Sequence, residues 1–221
     1  MTLHTVIFDI DGLLINSEPL WNEAAAIIFK QQGIVLTPQQ YQSTTGLRTK
    51  EFIEHWFRHF QLPPAAQPQA EKEIVDIVLD LITQKADIMP GVGHIFEFFA
   101  RKDFKMGLAT SSPQALIDMV IKMIGLKDYL SATASAEDLA FGKPHPQVYL
   151  DCAQKLNSSP LSCICFEDSF NGMIAAKAAR MKCVVIPHPS EARSEKWGAA
   201  DLRLSSLQNF GQLHFDGLMT Q

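Results

Sequence analysis

This sequence has no apolar run approaching the ~18 residues that a membrane span needs, no block of basic residues and no C-x-x-C pair. Each absence excludes something. A helical membrane protein is excluded by the first. The second, with 19 Lys+Arg against 24 Asp+Glu and a formal net charge of −5, excludes the phosphate-neutralising surface that non-specific nucleic-acid binding requires. Cys152, Cys163, Cys165 and Cys183 have neither metal-ligand nor redox spacing, and Cys163 and Cys165 share one face of an apolar run, so buried reduced thiols are expected. No basic segment precedes the first apolar run, and Asp9 interrupts it, so no signal peptide is expected. A cytoplasmic monomer follows as the expectation, with neither nucleic acid nor membrane as partner.

What is present fits a packed globule: 221 residues, 47% hydrophobic and 19% charged. That length suits one large domain, or a core domain carrying a smaller insertion. Val6-Ile7-Phe8 reads as a short buried strand. Four helical patterns follow: Pro19 to Gln32; one opened by Thr37-Pro38; one carrying Phe52, Ile53, Trp56, Phe57 and Phe60; and Gln69 to Gln84. No strand is expected between Ser17 and Asp87. Beyond Pro90-Gly91 the pattern alternates, with strands at Lys105–Ala109, Thr133–Ser135, Cys163–Phe166 and Cys183–Ile186. Helices are expected at Val92–Arg101, Pro113–Ile124, Pro146–Leu156 and Met173–Arg180. The alternation predicts an α/β fold, a doubly wound parallel sheet with helices on both faces, and makes the helical block an insertion after the first strand.

The chemistry gathers at strand ends. Asp9 and Asp11 lie two apart at the end of the first strand and point the same way, with Gly12 permitting a sharp turn behind them. Other strands lead into Thr110-Ser111-Ser112 and Glu167-Asp168-Ser169, and Gly142-Lys143-Pro144 opens a later segment. In a parallel sheet these ends share one edge, where open α/β sheets bind ligands. Two carboxylates about 4 Å apart repel by roughly 4 kcal/mol at an effective dielectric of 20. Lys143 does not offset several such pairs, whereas a hard divalent cation such as Mg²⁺ does, held through carboxylates, waters and a substrate phosphate.

The segments Asp9-Ile10-Asp11-Gly12, Thr110-Ser111-Ser112, Lys143-Pro144 and Glu167-Asp168 resemble the four motifs of the haloacid dehalogenase superfamily. More narrowly, Asp9 through Trp21, Lys143-Pro144-His145-Pro146 and Glu167 through Gly172 resemble its small sugar-phosphate phosphatases with a helical cap. The resemblance implies a Rossmann-like core at residues 1–15 and 89–221 and a helical cap at residues 16–88. It implies a Mg²⁺-dependent phosphatase acting on a small phosphorylated metabolite, a sugar or sugar alcohol. Asp9 is then the nucleophile that forms an aspartyl-phosphate, and Asp11 the general acid and base. Thr110 and Ser111 hold phosphoryl oxygens, and Lys143 neutralises developing charge. Asp9, Asp168 and the Asp11 backbone carbonyl ligate the metal. Glu167 is either a further ligand or a residue behind the ligands.

Gly46-Leu47-Arg48 lies between two cap helices, and Arg48 is expected to contact the substrate, the alternative being a solvated arginine at a helix end. His55 and His59 are four apart but have no third ligand nearby, so they read as surface histidines. Asn16 stands where relatives usually carry aspartate. Two competitors remain: a phosphosugar mutase of the β-phosphoglucomutase type, whose motifs are nearly identical, and a non-catalytic binding protein, which predicts damaged motifs. Metal-free dehalogenation does not need the acid at Asp11.

Overall fold

A computed structural model describes residues 2–220 of the chain. Six strands form one all-parallel sheet: β1 (Thr5–Phe8), β2 (Lys105–Thr110), β3 (Ala132–Ser135), β4 (Cys163–Glu167), β5 (Lys182–Val185) and β6 (Leu202–Arg203), in the order β3-β2-β1-β4-β5-β6. The order reverses between β1 and β4, the point where such sheets open a crevice at their carboxyl ends. Strand alternation divides the core. Val6, Phe8, Ile164 and Phe166 face α5 (Val92–Ala100), α6 (Gln114–Ile124) and α9 (Gln212–Thr220). Ile7, Cys163, Cys165 and Cys183 face α7 (Gln147–Lys155) and α8 (Phe170–Ala178). All four cysteines are free and buried.

Between β1 and α5 the chain is helical: α1 (Glu18–Gln31), α2 (Pro38–Ser43), α3 (Thr49–His59) and α4 (Gln67–Lys85). Thr37 caps α2 through a reciprocal capping box with Gln40, and Pro38 occupies the first turn, as the Thr-Pro pair predicts. The two connections to the sheet run side by side. The Asn16 N–H donates to the Asp87 carbonyl at 2.9 Å and the Met89 N–H to the Leu14 carbonyl at 2.9 Å, with Ile15 bridging Ile88 antiparallel. Asn16 lies exposed on this paired neck.

Two features depart from the sequence-based expectation. Helix α8 begins at Phe170, not Met173, because the Ser169 hydroxyl accepts from the Gly172 N–H and starts the helix early. Strand β6 and helix α9 lie in the C-terminal stretch, where no element is expected from pattern. Among the described residues no helix is long and apolar enough to cross a membrane.

An aromatic cluster fixes the position of β1 and β4. Phe8 stacks on Phe96 at 4.7 Å and on Phe166 at 5.2 Å, and Phe99 lies 5.8 Å from Phe166 and 5.6 Å from Phe210. Phe99→Ala is expected to cost about 3–5 kcal/mol, read from the shift in urea midpoint. A cost under about 1 kcal/mol would mean the ring is not part of a packed core.

Candidate active site

The site is built on the carboxyl ends of β1, β2 and β4. Asp9 follows β1 directly, and Lys143 enters from the loop between β3 and α7. The Lys143 ammonium is 1% exposed and donates to Asp9 Oδ1 at 2.7 Å, Glu167 Oε1 at 2.6 Å and the Ala109 carbonyl at 3.1 Å. Burial lowers the affinity of this amine for its proton, but the Asp9 and Glu167 carboxylates outweigh that and hold it charged above its ordinary range. Burial pushes Asp9 up to about 8, with Lys143 opposing and the Glu167 and Asp11 charges adding to the rise. The second oxygen of Asp9 accepts no hydrogen bond among the described residues.

Glu167 is fully occupied. Oε1 accepts from Lys143 and from the Tyr149 hydroxyl at 2.5 Å; Oε2 accepts from the Asp168 N–H and the Ser169 N–H, both at 3.2 Å, and from the Ser169 hydroxyl at 3.1 Å. Its carboxyl rests against Gly172, where an added Cβ would lie 1.8 Å from Oε1. Asp168 is the opposite case. Its carboxylate accepts no hydrogen bond among the described residues, and burial with the neighbouring Glu167, Asp9 and Glu18 charges pushes it well above the carboxylate range. It sits against Gly12, whose φ of +72° and missing side chain allow the approach; a Cβ there would lie 2.1 Å from Asp168 Oδ2. Ligand atoms of Asp9, Glu167 and Asp168 lie within 4.8 Å of one another.

Asp11 is turned toward α1. Oδ1 accepts from the Ser17 hydroxyl at 2.6 Å and the Trp21 indole N–H at 2.7 Å, and Oδ2 from the Ser112 hydroxyl at 2.5 Å. The Thr110 hydroxyl accepts from the Ser112 N–H at 3.1 Å, which leaves its own proton to donate. The Ser111 hydroxyl donates to the Gly46 carbonyl at 2.8 Å and so faces the helical segment. These groups line a cavity of about 80 Å³, room for several waters. Asn22, Ala25, Tyr41, Phe52 and Ile74 line it as well. Glu18 lines it too, pushed up to about 7 by burial and by Asp11.

Asp9, Asp11, Thr110, Ser111, Lys143 and Asp168 are thus brought together around one cavity, with Glu167 directly behind Lys143. Arg48 is not. Its guanidinium is turned away from the cavity, donating to backbone carbonyls of the loop after β3 and pairing with Glu51 at 2.8 Å; its Nε is buried without a partner. The expectation of a substrate contact at Arg48 is not met in this geometry, because those carbonyls outcompete the cavity for its donors. His55 and His59 are exposed and flank Trp56, at 4.6 and 5.4 Å between rings. Sequence reasoning missed Ser17, Ser112 and Tyr149 as partners of the carboxylates. The Trp21 indole N–H, also missed, holds Asp11.

A family model described as haloacid dehalogenase-like hydrolase matches residues 6–186. Hexitol phosphatase B of Escherichia coli K12 is 38% identical over 202 residues, covering 91% of each chain. The phosphorylated carbohydrates phosphatase of Thermotoga maritima is 28% identical over 80% of this chain and 82% of its own. Among solved structures, β-phosphoglucomutase from Clostridium difficile superposes with a TM-score of 0.89 at 22% identity, covering 99% of this chain and 98% of that one. CbbY from Rhodobacter sphaeroides, solved with phosphate, gives 0.86 at 24%, covering 98% and 99%. At those identities the structural likeness establishes the fold.

Glu167→Ala is expected to destabilise the chain by about 3–5 kcal/mol, since it strips a counter-charge from the buried ammonium. Glu167→Gln, which keeps an acceptor for Lys143 and Tyr149, should cost less. Equal urea midpoints for the two variants would contradict this account of Glu167.

Proposed function

The chain belongs to the haloacid dehalogenase-like hydrolases and is a phosphatase; we propose that it hydrolyses small sugar or sugar-alcohol phosphates through an aspartyl-phosphate on Asp9. It acts, on this reading, as a cytoplasmic monomer, with residues 16–88 as a cap over the sheet edge. One observation carries the proposal: a buried ammonium lies 2.7 Å from one oxygen of Asp9 while the other oxygen accepts no hydrogen bond among the described residues. The substrate class is supported by the likeness to a hexitol phosphatase and to a phosphatase of phosphorylated carbohydrates.

In the first step Asp9 attacks phosphorus. An O–P bond forms as the P–O bond to the alcohol breaks, and Asp11 gives its proton to the departing oxygen. A sugar alkoxide leaves poorly, so general acid catalysis of this kind is worth about 10²–10⁴-fold. In the second step Asp11 takes a proton from water, whose oxygen attacks the phosphoaspartate; inorganic phosphate leaves and Asp9 is again a carboxylate. Ser17, Trp21 and Ser112 donate to Asp11 and fix its carboxyl. The Thr110 hydroxyl and the Ser111 backbone N–H are assigned to phosphoryl oxygens. Lys143 orients Asp9 and offsets charge on the transferring group.

The donor set fits Mg²⁺. Three carboxylates face one ammonium, leaving two negative charges when all are ionised, and the Asp168 carboxylate has no protein donor among the described residues. Asp9, Asp168 and the Asp11 carbonyl would hold the ion, an all-oxygen set suited to it. Glu167, whose oxygens are taken, would stand behind them. When bound, Mg²⁺ supplies charge neutralisation that lets a phosphate dianion approach Asp9.

A phosphate-release assay with Mg²⁺ over a panel of sugar and polyol phosphates tests the proposal. Turnover with released phosphate is expected, with no turnover in Asp9→Asn and about a 10²–10⁴-fold fall in Asp11→Asn. Turnover without phosphate release would indicate a mutase instead, and activity retained in Asp9→Asn would contradict the covalent route.

A second expectation concerns pH. Asp9 holds its proton up to about 8 in the folded chain, while the unfolded chain releases it near 4 (roughly). The folded state therefore binds more protons in between, and the metal-free protein loses stability as pH rises through that window. A bound dication competes with those protons, so its stabilising effect grows from about pH 5 to about pH 8. At a hundredfold excess over Kd the gain is about 2.7 kcal/mol, or about 5–10 °C in Tm for a chain of this size. A Tm shift independent of pH, or one unchanged in Asp168→Asn, would contradict the assignment.

A further inference from the structure

Arg48 is the buried charge that the chemistry above leaves without a task. It stands at the start of α3 and reaches out of the helical segment to the loop after β3. Nη1 donates to the carbonyls of Ala136 at 2.9 Å and Leu139 at 2.5 Å, and Nη2 to Glu51 Oε1 at 2.8 Å. Glu51 Oε1 also accepts the Gly142 N–H at 2.8 Å. Gly142 permits this approach because it has no side chain; a Cβ there would lie 2.5 Å from Glu51 Oε2 and 2.7 Å from Arg48 Nε. The next residue is Lys143.

An exposed arginine pair contributes little to stability. This one is different, since Arg48 is 5% exposed and its partners are backbone carbonyls that cannot rearrange independently of the loop. Burial alone would raise the Glu51 carboxyl, but the Arg48 and Gly142 donors hold it below its ordinary value. Removing Glu51 strands the buried Arg48 guanidinium, the costly way to break such a pair. The clasp also needs both sides. Arg48 and Glu51 come from the helical segment, and residues 136–142 come from the sheet edge.

We propose that Arg48 and Glu51 are positioning residues that couple docking of the helical segment to the placement of Lys143 against Asp9, acting through Gly142. The proposal rests on the reading of Asp9 and Lys143 given above. Closing a segment over an active site both excludes water and completes the catalytic arrangement; here the same contact does the second task by fixing the residue that precedes the ammonium.

The test uses the full chain with Mg²⁺ and the sugar or polyol monophosphate that the unmodified protein hydrolyses fastest. Arg48→Lys, Glu51→Gln, Gly142→Ala and the double variant Arg48→Lys/Glu51→Gln are compared. Each single change should lower kcat about tenfold or more with KM changed less than about twofold, since small misplacements of catalytic groups cost that much. The double variant should be no worse than the poorer single, as for residues acting as one unit. A raised KM in Arg48→Lys alone, with normal kcat in the other two singles, would make Arg48 a substrate ligand and overturn the proposal, as would normal kcat throughout. If Arg48→Lys or Gly142→Ala fails to fold, Glu51→Gln decides alone, because it keeps shape and acceptor and removes only charge. If the unmodified protein releases no phosphate from any substrate, the reading of the function fails. Hydrogen exchange at the Gly142 amide then decides separately: faster exchange in Arg48→Lys supports the clasp, and unchanged exchange overturns it.

Discussion

The burial of one ammonium organises the site. Lys143 Nζ touches groups on three neighbouring strand ends: Asp9 beyond β1, the Ala109 carbonyl on β2 and Glu167 on β4. Taking such a charge out of water costs several kcal/mol unless counter-charges and acceptors replace the lost hydration. Glu167 and Asp9 provide them, and Glu167 is in turn fixed by Tyr149 and Ser169. The parallel sheet holds these strand ends side by side, so its register sets the distances on which the chemistry depends.

The same balance supports the proposal of a cation in the site. Glu167 has given both oxygens to protein donors, whereas Asp168 and one oxygen of Asp9 have none among the described residues. The free acceptors lie on the cavity side and the satisfied ones behind it. That asymmetry separates a carboxylate that supports the lysine from those available to a metal or a phosphoryl group. It also accounts for the opposite tendencies of Lys143, kept charged by its neighbours, and Asp168, driven toward its neutral form by burial and like charge.

Much of this was legible in the residues. The two-residue spacing of Asp9 and Asp11, Gly12 behind them, and the polar groups after each later strand identify the sheet edge at which these side chains gather. The capping pair Thr37-Pro38 and the absence of strand patterning mark the helical insertion. Other features were not legible, for physical reasons. Arg48 is held by carbonyl groups, and backbone acceptors leave no trace in side-chain identity. Glu167 is defined by Tyr149, eighteen positions away on another element, so its spacing alone left its role open. Strand β6 is two residues long, too short for alternation to register.

On the proposed route Asp9 carries the phosphoryl group between substrate and water. Acid quenching during turnover, followed by mass spectrometry of the peptide containing Asp9, measures that directly. A mass gain of one phosphoryl group on Asp9 is predicted, appearing with substrate and absent from Asp9→Asn. Full turnover with Asp9 unmodified at every quench time, or the phosphoryl group found on another residue, would contradict it.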